Sequence, residues 1–159
     1  MASTEERVSV EGGGDFSAFY AMVEPRLRVA LVAAYGPERG REAAAEALAW
    51  AWEHRGRLGE LREPLGFLYR VGQSRTRARR VRLLAGRASW DEPWIEPKLA
   101  SGLVALSERQ RVAVVLISGY GWSAAEVGEL LGIGATTVQN HLERGLARLR
   151  SHLEVDADA

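Results

Sequence analysis

The side chains in this sequence that are best suited to binding chemistry are polar groups near the C-terminus: Thr136, Thr137, Gln139, Asn140 and His141. Gln and Asn can pair in bidentate fashion with adenine, and Thr can bond to a phosphate or touch the methyl group of thymine. Arg144 and Arg148 follow at four-residue spacing and are candidates for phosphate contacts. The residue types therefore indicate recognition of duplex DNA.

The elements around these residues predict a helix-turn-helix. Ser123 and Glu126 have the spacing of a capping box, which opens a short helix. Gly132-Ile133-Gly134 follows as a tight turn, and a last helix is expected over about 135–153. This geometry leaves the first turns of the second helix free to enter the major groove. An ordinary helical hairpin with a polar face is the alternative.

A second basic segment runs from Arg70 to Arg87 and contains seven arginines and no acidic residue. Arg75, Arg79 and Arg82 recur at three- and four-residue steps, so they can form a basic stripe on one face of a helix. Such a stripe tracks a phosphate backbone in a salt-dependent way. The candidate DNA contacts in this segment are Arg75, Arg77, Arg79, Arg80 and Arg82. The alternative is a solvated helix end, where arginine is favourable.

The patterning as a whole predicts an all-α protein of two small helical domains joined by a flexible linker. We expect a disordered lead over residues 1–14, a first domain over 15–84 and the linker over 85–98. A second domain over 99–153 and a short tail over 154–159 follow. The linker is placed where glycine and proline interrupt the periodicity. No alternating run predicts a strand.

Helix limits in the first half follow from local signals. Asp15 is the expected N-cap of a helix over 16–35, and Gly36-Pro37 ends it. A second helix is expected over 38–54, and Pro64 is expected to open a third. In the second helix the residues expected to face the core are Ala47, Leu48, Ala51 and Trp52.

Composition excludes several other classes of protein. The chain has no cysteine, and its three histidines do not have the spacing of metal ligands, so no metal site and no cofactor is expected. No catalytic constellation or phosphate-cradling loop is present, which predicts a non-enzymatic protein. Neither a membrane-spanning run nor a signal peptide is visible, so a cytoplasmic location is expected. The net charge of zero argues mildly against nucleic-acid binding, but the local arginine cluster argues for it.

The segment from Leu103 through ALSERQRVAVVLISGYGWSAAEVGELLGIGATTVQNHLERGLARLR closely resembles the fourth conserved region of extracytoplasmic-function sigma factors of bacterial RNA polymerase, which belong to the sigma-70 superfamily. That family usually has a basic residue in place of Gln139 and often Arg in place of His141. The resemblance implies that the last helix reads the upstream promoter element.

The N-terminal half resembles the second region of the same family. DFSAFYAMVEPRLRVAL is similar to its opening helix, and PLGFLYRVGQSRTRARRVR is similar to the segment that melts and reads the downstream element. EAAAEALAWAW occupies the place of the helix that packs on the polymerase clamp. By this resemblance, Glu42, Glu46 and Trp50 are candidate contacts to core polymerase.

The resemblance implies a transcription-initiation factor whose partners are the RNA polymerase core and promoter double-stranded DNA, with an anti-sigma factor as a further candidate partner. Two alternatives stay open. A helix-turn-helix regulator that does not act as a sigma factor would bind DNA without polymerase. A degenerate sigma-like interaction module would bind neither polymerase nor DNA strongly. The neutral net charge and the less basic recognition helix are consistent with this alternative.

Overall fold

The computed structural model describes residues 13–82, 90 and 95–155, and within them every regular element is helical. Seven α-helices follow one another along the chain: α1 Gly13–Tyr35, α2 Pro37–Glu53, α3 Pro64–Arg82, α4 Pro97–Ala105, α5 Glu108–Ala113, α6 Ala124–Leu131 and α7 Ala135–Val155. A short 3-10 helix over Arg55–Glu60 connects α2 to α3. The all-α expectation is confirmed.

Helices α1, α2 and α3 pack together as the N-terminal half. Leu27 and Leu31 of α1 and Leu68 of α3 are completely inaccessible to solvent. The side of α2 that packs is made of small residues, among them Ala47 and Ala51, which permit close approach of the helices. The burial of these apolar side chains is the main stabilisation of this half.

Two local expectations in this half were wrong. Trp52 does not face the core: 48% of it is exposed, and its ring meets Phe16 edge-on and lies under the Arg55 guanidinium. The face that α2 buries is narrower than the apolar stripe in its sequence, and Trp52 falls at its margin. Asp15 is not the N-cap, since α1 begins at Gly13 and Asp15 stands in its first turn, where a carboxylate favours the helix dipole.

The C-terminal half is built from α4 to α7 around Val112, Leu116, Val127 and Val138, which are all inaccessible to solvent. Helix α5 is capped by Ser107 and continues directly into one π-helical segment over Val114–Gly119. The sequence predicts an uninterrupted helix over 108–118. The chain is indeed helical over these residues, but from Val114 onward the helix is a π-helix, which has wider turns than an α-helix. Helix α7 runs alongside α4, α5 and α6 and closes the core.

Most of the expected linker lies outside the described residues, which include neither 83–89 nor 91–94. Trp90 is described and is buried, with 6% of its surface exposed. Its indole nitrogen has no hydrogen-bond partner among the residues that the structure describes. The tryptophan therefore belongs to the apolar core rather than to a solvated connection.

The two halves are in direct contact. Glu108 of α5 accepts a hydrogen bond from the Tyr35 hydroxyl at 3.3 Å and from Gln73 Nε2 at 2.5 Å. Arg26 of α1 forms a 3.3 Å ion pair with Glu126 of α6, and its guanidinium lies 4.3 Å from the centre of the Trp122 ring. These contacts join α1 and α3 to α5 and α1 to α6, and α3 also packs beside α6.

Candidate nucleic-acid interface

The first helix of the expected helix-turn-helix is set by a complete capping box. The Ser123 hydroxyl accepts a hydrogen bond from the Glu126 backbone N–H at 3.1 Å, and Glu126 Oε2 accepts one from the Ser123 N–H at 2.8 Å. Two backbone N–H donors at the start of α6 that have no partner within the helix, those of Ser123 and Glu126, are thereby satisfied. These hydrogen bonds and the Arg26 ion pair lower the pKa of the Glu126 carboxyl, with the Ser123 backbone N–H the largest cause.

The turn between α6 and α7 depends on two glycines. Gly132 has a φ of 68°, the left-handed conformation that glycine adopts without steric cost, and it ends α6. Gly128 lies where the turn folds back on α6: a Cβ on it would come within 2.7 Å of the Ile133 carbonyl oxygen. Val138 is completely buried on the inner face of α7 and helps to fix the angle between the two helices.

The opposite face of α7 is open to solvent. The exposed candidates for DNA contact are Thr136, Thr137, Gln139, Asn140, Arg144 and Arg148. Gln139 Nε2 lies 3.5 Å from Glu143 Oε1, and Arg148 donates to Gln110 Oε1 at 3.3 Å. These two hydrogen bonds orient side chains along the helix without covering the face. An exposed surface of polar side chains is thus presented at the N-terminal turns of α7.

His141 differs from the other α7 candidates because it is half-buried and turns toward α3 and α5. Desolvation, together with the nearby Arg109 and Arg144, lowers the pKa of its imidazole. The structure therefore separates His141 from the exposed group with which the sequence places it.

Helix α3 carries the second set of candidates. Arg75 and Arg77 are both exposed, but two residues along an α-helix correspond to a rotation of about 200°, so they stand on different faces. Arg77 lines the cleft between α3 and the C-terminal half, and Arg75 does not. Arg79, Arg80 and Arg82 lie within α3, but the structure does not describe their side chains. The spacing assigns Arg79 and Arg82 to the face of Arg75.

The candidates on α2 form a separate surface. Glu42 is exposed, and Glu46 is partly exposed one turn further on. Trp50 is half-buried: its ring stacks on His54 at a centroid distance of 4.2 Å and lies 5.1 Å from the ring of Phe67. The three candidates thus lie along one side of α2, exposed at Glu42 and packed against the core at Trp50.

Sequence reasoning missed the residues that join the halves. Arg111 is 7% exposed, and its guanidinium donates to the carbonyl oxygens of Leu103 at 2.8 Å, of Leu106 at 2.9 Å and of Ala34. Its one signal in the sequence is a charge at the start of the apolar run Val112-Ala113-Val114. Nothing in the sequence indicates that Glu108 joins the two halves, because its partners Tyr35 and Gln73 are distant in sequence.

Comparison with known proteins places the DNA-binding candidates of α7 in a defined region. Residues 98–149 match the family model described as Sigma-70, region 4. This match covers nearly all of α4, all of α5 and α6, and most of α7, including every DNA-contact candidate of the last helix. A search of curated protein sequences found no match.

Two solved structures share the fold over most of the chain. One is the sigma factor RpoE in complex with the anti-sigma factor NepR from Bartonella quintana, with a TM-score of 0.62 and 22% identity, covering 89% of this chain and 98% of that one. The other is CnrH in complex with the cytosolic domain of CnrY, with a TM-score of 0.64 and 22% identity, covering 94% of each chain. Both likenesses extend to the N-terminal half, which the family model does not reach.

None of the helices in the described ranges combines the length and apolar character that crossing a membrane requires.

Proposed function

We propose that this chain, which belongs to the sigma-70 family through its region 4 domain, is an RNA polymerase sigma factor of the extracytoplasmic-function type. The single observation that carries the proposal is the helix-turn-helix of α6 and α7, whose exposed polar face lies within the matched residues 98–149. The fold shared with RpoE and CnrH over both halves supports extending the assignment to the whole chain.

In this function α7 reads the upstream promoter element. Gln139 and Asn140 lie at its exposed N-terminal turns, where amide side chains can pair with adenine edges in the major groove. Thr136 and Thr137 contact phosphate or thymine methyl groups beside them, and Arg144 and Arg148 contact phosphates further along. His141 is half-buried and lines the cleft between α3 and the C-terminal half, so it joins these contacts only when it becomes more exposed.

The N-terminal half binds core polymerase and the downstream element. Glu42, Glu46 and Trp50 form the polymerase-contacting side of α2. The arginines of α3 that follow the DNA backbone are Arg75, Arg77, Arg79, Arg80 and Arg82. Arg75, Arg79 and Arg82 share one face and form the principal stripe, whereas Arg77 and Arg80 start from the other face. The protein works by binding and strand separation in the bacterial cytoplasm, without covalent chemistry of its own.

An anti-sigma factor is the third partner in this proposal. RpoE and CnrH, whose folds this chain shares, are each in complex with a partner, and NepR is an anti-sigma factor. A protein that binds across both halves would keep α2 and α7 from polymerase and promoter at once.

The test is reconstitution of the full chain with bacterial core RNA polymerase, followed by transcription from promoters of the host. A stable complex and initiation at discrete sites are expected, and Asn140→Ala should reduce initiation while leaving core binding intact. Arg57→Ala, which changes an exposed arginine of the 3-10 helix, is the matched control. Salt-dependent duplex binding without a polymerase complex would instead identify a polymerase-independent regulator. A chain that binds neither polymerase nor duplex DNA would be an interaction module.

A further inference from the structure

A cleft of about 470 Å³ lies between α3 of the first half and α5, α6 and α7 of the second. This volume is within the range of sites that hold small molecules. Its walls come from both halves of the chain, so an occupant would touch both. None of the DNA or polymerase contacts proposed above requires such a cleft.

The charge on the walls of the cleft is predominantly positive. Arg70 and Arg77 contribute from α3, Arg109 contributes from α5, and His141 contributes an imidazole from α7. Among the described residues, no carboxylate lies within ion-pairing distance of the three guanidinium groups. Glu108 is the one acidic residue in the lining, and its Oε1 is already hydrogen-bonded by Tyr35 and Gln73. Three cations therefore face one carboxylate.

A buried polar group in the lining is also without a partner. Tyr69 is only 1% exposed, and its hydroxyl forms no hydrogen bond to any residue that the structure describes. A buried hydroxyl without a partner costs stability, so a site of this kind favours an occupant that can accept its hydrogen bond. Phosphate oxygens are strong acceptors, and guanidinium groups bind them in bidentate geometry.

We propose that this cleft is a binding site for a small phosphorylated anion, held by Arg70, Arg77 and Arg109, with Tyr69 in its wall. An anion with more than one negative charge fits because three arginines and only one carboxylate line the cleft. A ligand bound there joins α3 to α5 and α7, so it favours the arrangement in which the halves are packed. It also keeps His141 away from DNA.

Inorganic pyrophosphate is the probe, added to the full chain at constant ionic strength with sodium chloride as the reference. The thermal midpoint should rise by about 3–6 °C at tenfold the dissociation constant, and backbone amide signals of α3 and α5 should shift. Arg70→Gln and Arg109→Gln should each weaken pyrophosphate binding at least tenfold. Arg57→Gln, an exposed arginine outside the cleft, should bind as the parent does. Both cleft positions are exposed, so the variants should retain the helical circular dichroism of the parent.

Equal stabilisation by sodium chloride, or unchanged affinity in both cleft variants, would overturn the proposal. A 12-base-pair duplex is the second arm, because DNA also carries phosphate. If the duplex shifts the same cleft signals with the same dependence on Arg70 and Arg109, the cleft binds backbone phosphate and no small ligand is needed. Neither residue belongs to the proposed promoter or polymerase contacts, so this outcome is independent of the transcription assay.

Discussion

The guanidinium of Arg111 in α5 donates a hydrogen bond to the carbonyl oxygen of Ala34, one residue before the end of α1. The last carbonyls of a helix have no partner within it, and α1 has no basic residue in its own last turn. Arg111 therefore supplies, from the second half of the chain, the cationic donor that the end of α1 lacks. Two further bonds, to the carbonyl oxygens of Leu103 and Leu106, give each of the three guanidinium nitrogens an acceptor.

Replacing Arg111 with Met should lower the free energy of unfolding by about 3 kcal/mol, because buried carbonyl groups lose their charged donor. Urea denaturation of the full chain measures this change. Arg57→Met alters an exposed arginine and should stay within about 0.5 kcal/mol of the parent. An Arg111→Met protein as stable as the control would show that the bond to Ala34 contributes nothing to stability.

What the sequence predicts well is local. Both capping boxes and the glycine turn depend on residues within a few positions of one another, and the structure has them where the spacing indicates. The Arg111–Ala34 bond joins residues 77 positions apart, and no periodicity carries such information. For the same reason Trp52 was misplaced, since the pattern shows which residues are apolar but not how wide a face the partner helices cover.

The candidate site likewise has some features that the local sequence predicts and others that depend on tertiary packing. The exposure of Gln139 and Asn140 follows from the helical period and from the burial of Val138, which immediately precedes them. That His141 is half-buried could not be predicted, because the α3 residues that line the same cleft lie far away in sequence. The splitting of Arg75 and Arg77 onto different faces was implicit in the helical period, but only the packing of α3 shows which face meets the cleft.

The pKa of Glu126 should report the contact between the halves. Arg26→Gln removes the ion pair, so the carboxyl pKa should rise but stay below its ordinary value of 4.5, because the Ser123 N–H bond is kept. The lowered pKa means that the contribution of Glu126 to stability is present above about pH 4.5 and is lost as the pH falls through the folded-state value. Side-chain NMR titration measures the shift.

Arg28→Gln is the control for this titration, because Arg28 pairs with Glu24 inside α1. It should leave the pKa of Glu126 unchanged. An equal rise in both variants would mean that general charge, and not the contact between α1 and α6, sets the value.

Gly128→Ala should destabilise the helix-turn-helix. The added Cβ would lie 2.7 Å from the Ile133 carbonyl oxygen, a backbone atom that can yield only if the turn moves. We expect a loss of about 2 kcal/mol in unfolding free energy, in the range for overpacked sites. Gly119→Ala meets no atom within 4 Å and should be neutral or stabilising. If urea denaturation gave the same result for both, the close approach at Gly128 would not matter.

A binding assay should distinguish the residues of α7 that contact bases from those that contact phosphates. Asn140→Ala should cost about 1–3 kcal/mol at one base position, and Arg144→Ala should weaken binding to all sequences and reduce the salt slope by about 1. Polymerase holoenzyme binding to a promoter and to single-base variants, measured over a salt series, distinguishes the two. A uniform loss for Asn140→Ala, or a loss confined to one base for Arg144→Ala, would reverse the roles.

Tyr69 and Tyr35 provide a matched pair for the cost of a buried hydroxyl. The Tyr69 hydroxyl has no hydrogen-bond partner among the described residues, so Tyr69→Phe should leave the unfolding free energy unchanged or raise it by about 1 kcal/mol in protein without ligand. The Tyr35 hydroxyl donates to Glu108 across the contact between the halves, so Tyr35→Phe should lower it by about 1 kcal/mol. Both changes remove one oxygen and keep the ring, so apolar packing cancels in the comparison. Urea denaturation in phosphate-free buffer gives the two values, and a loss for Tyr69→Phe as large as that for Tyr35→Phe would show that its hydroxyl is already satisfied in the unliganded protein.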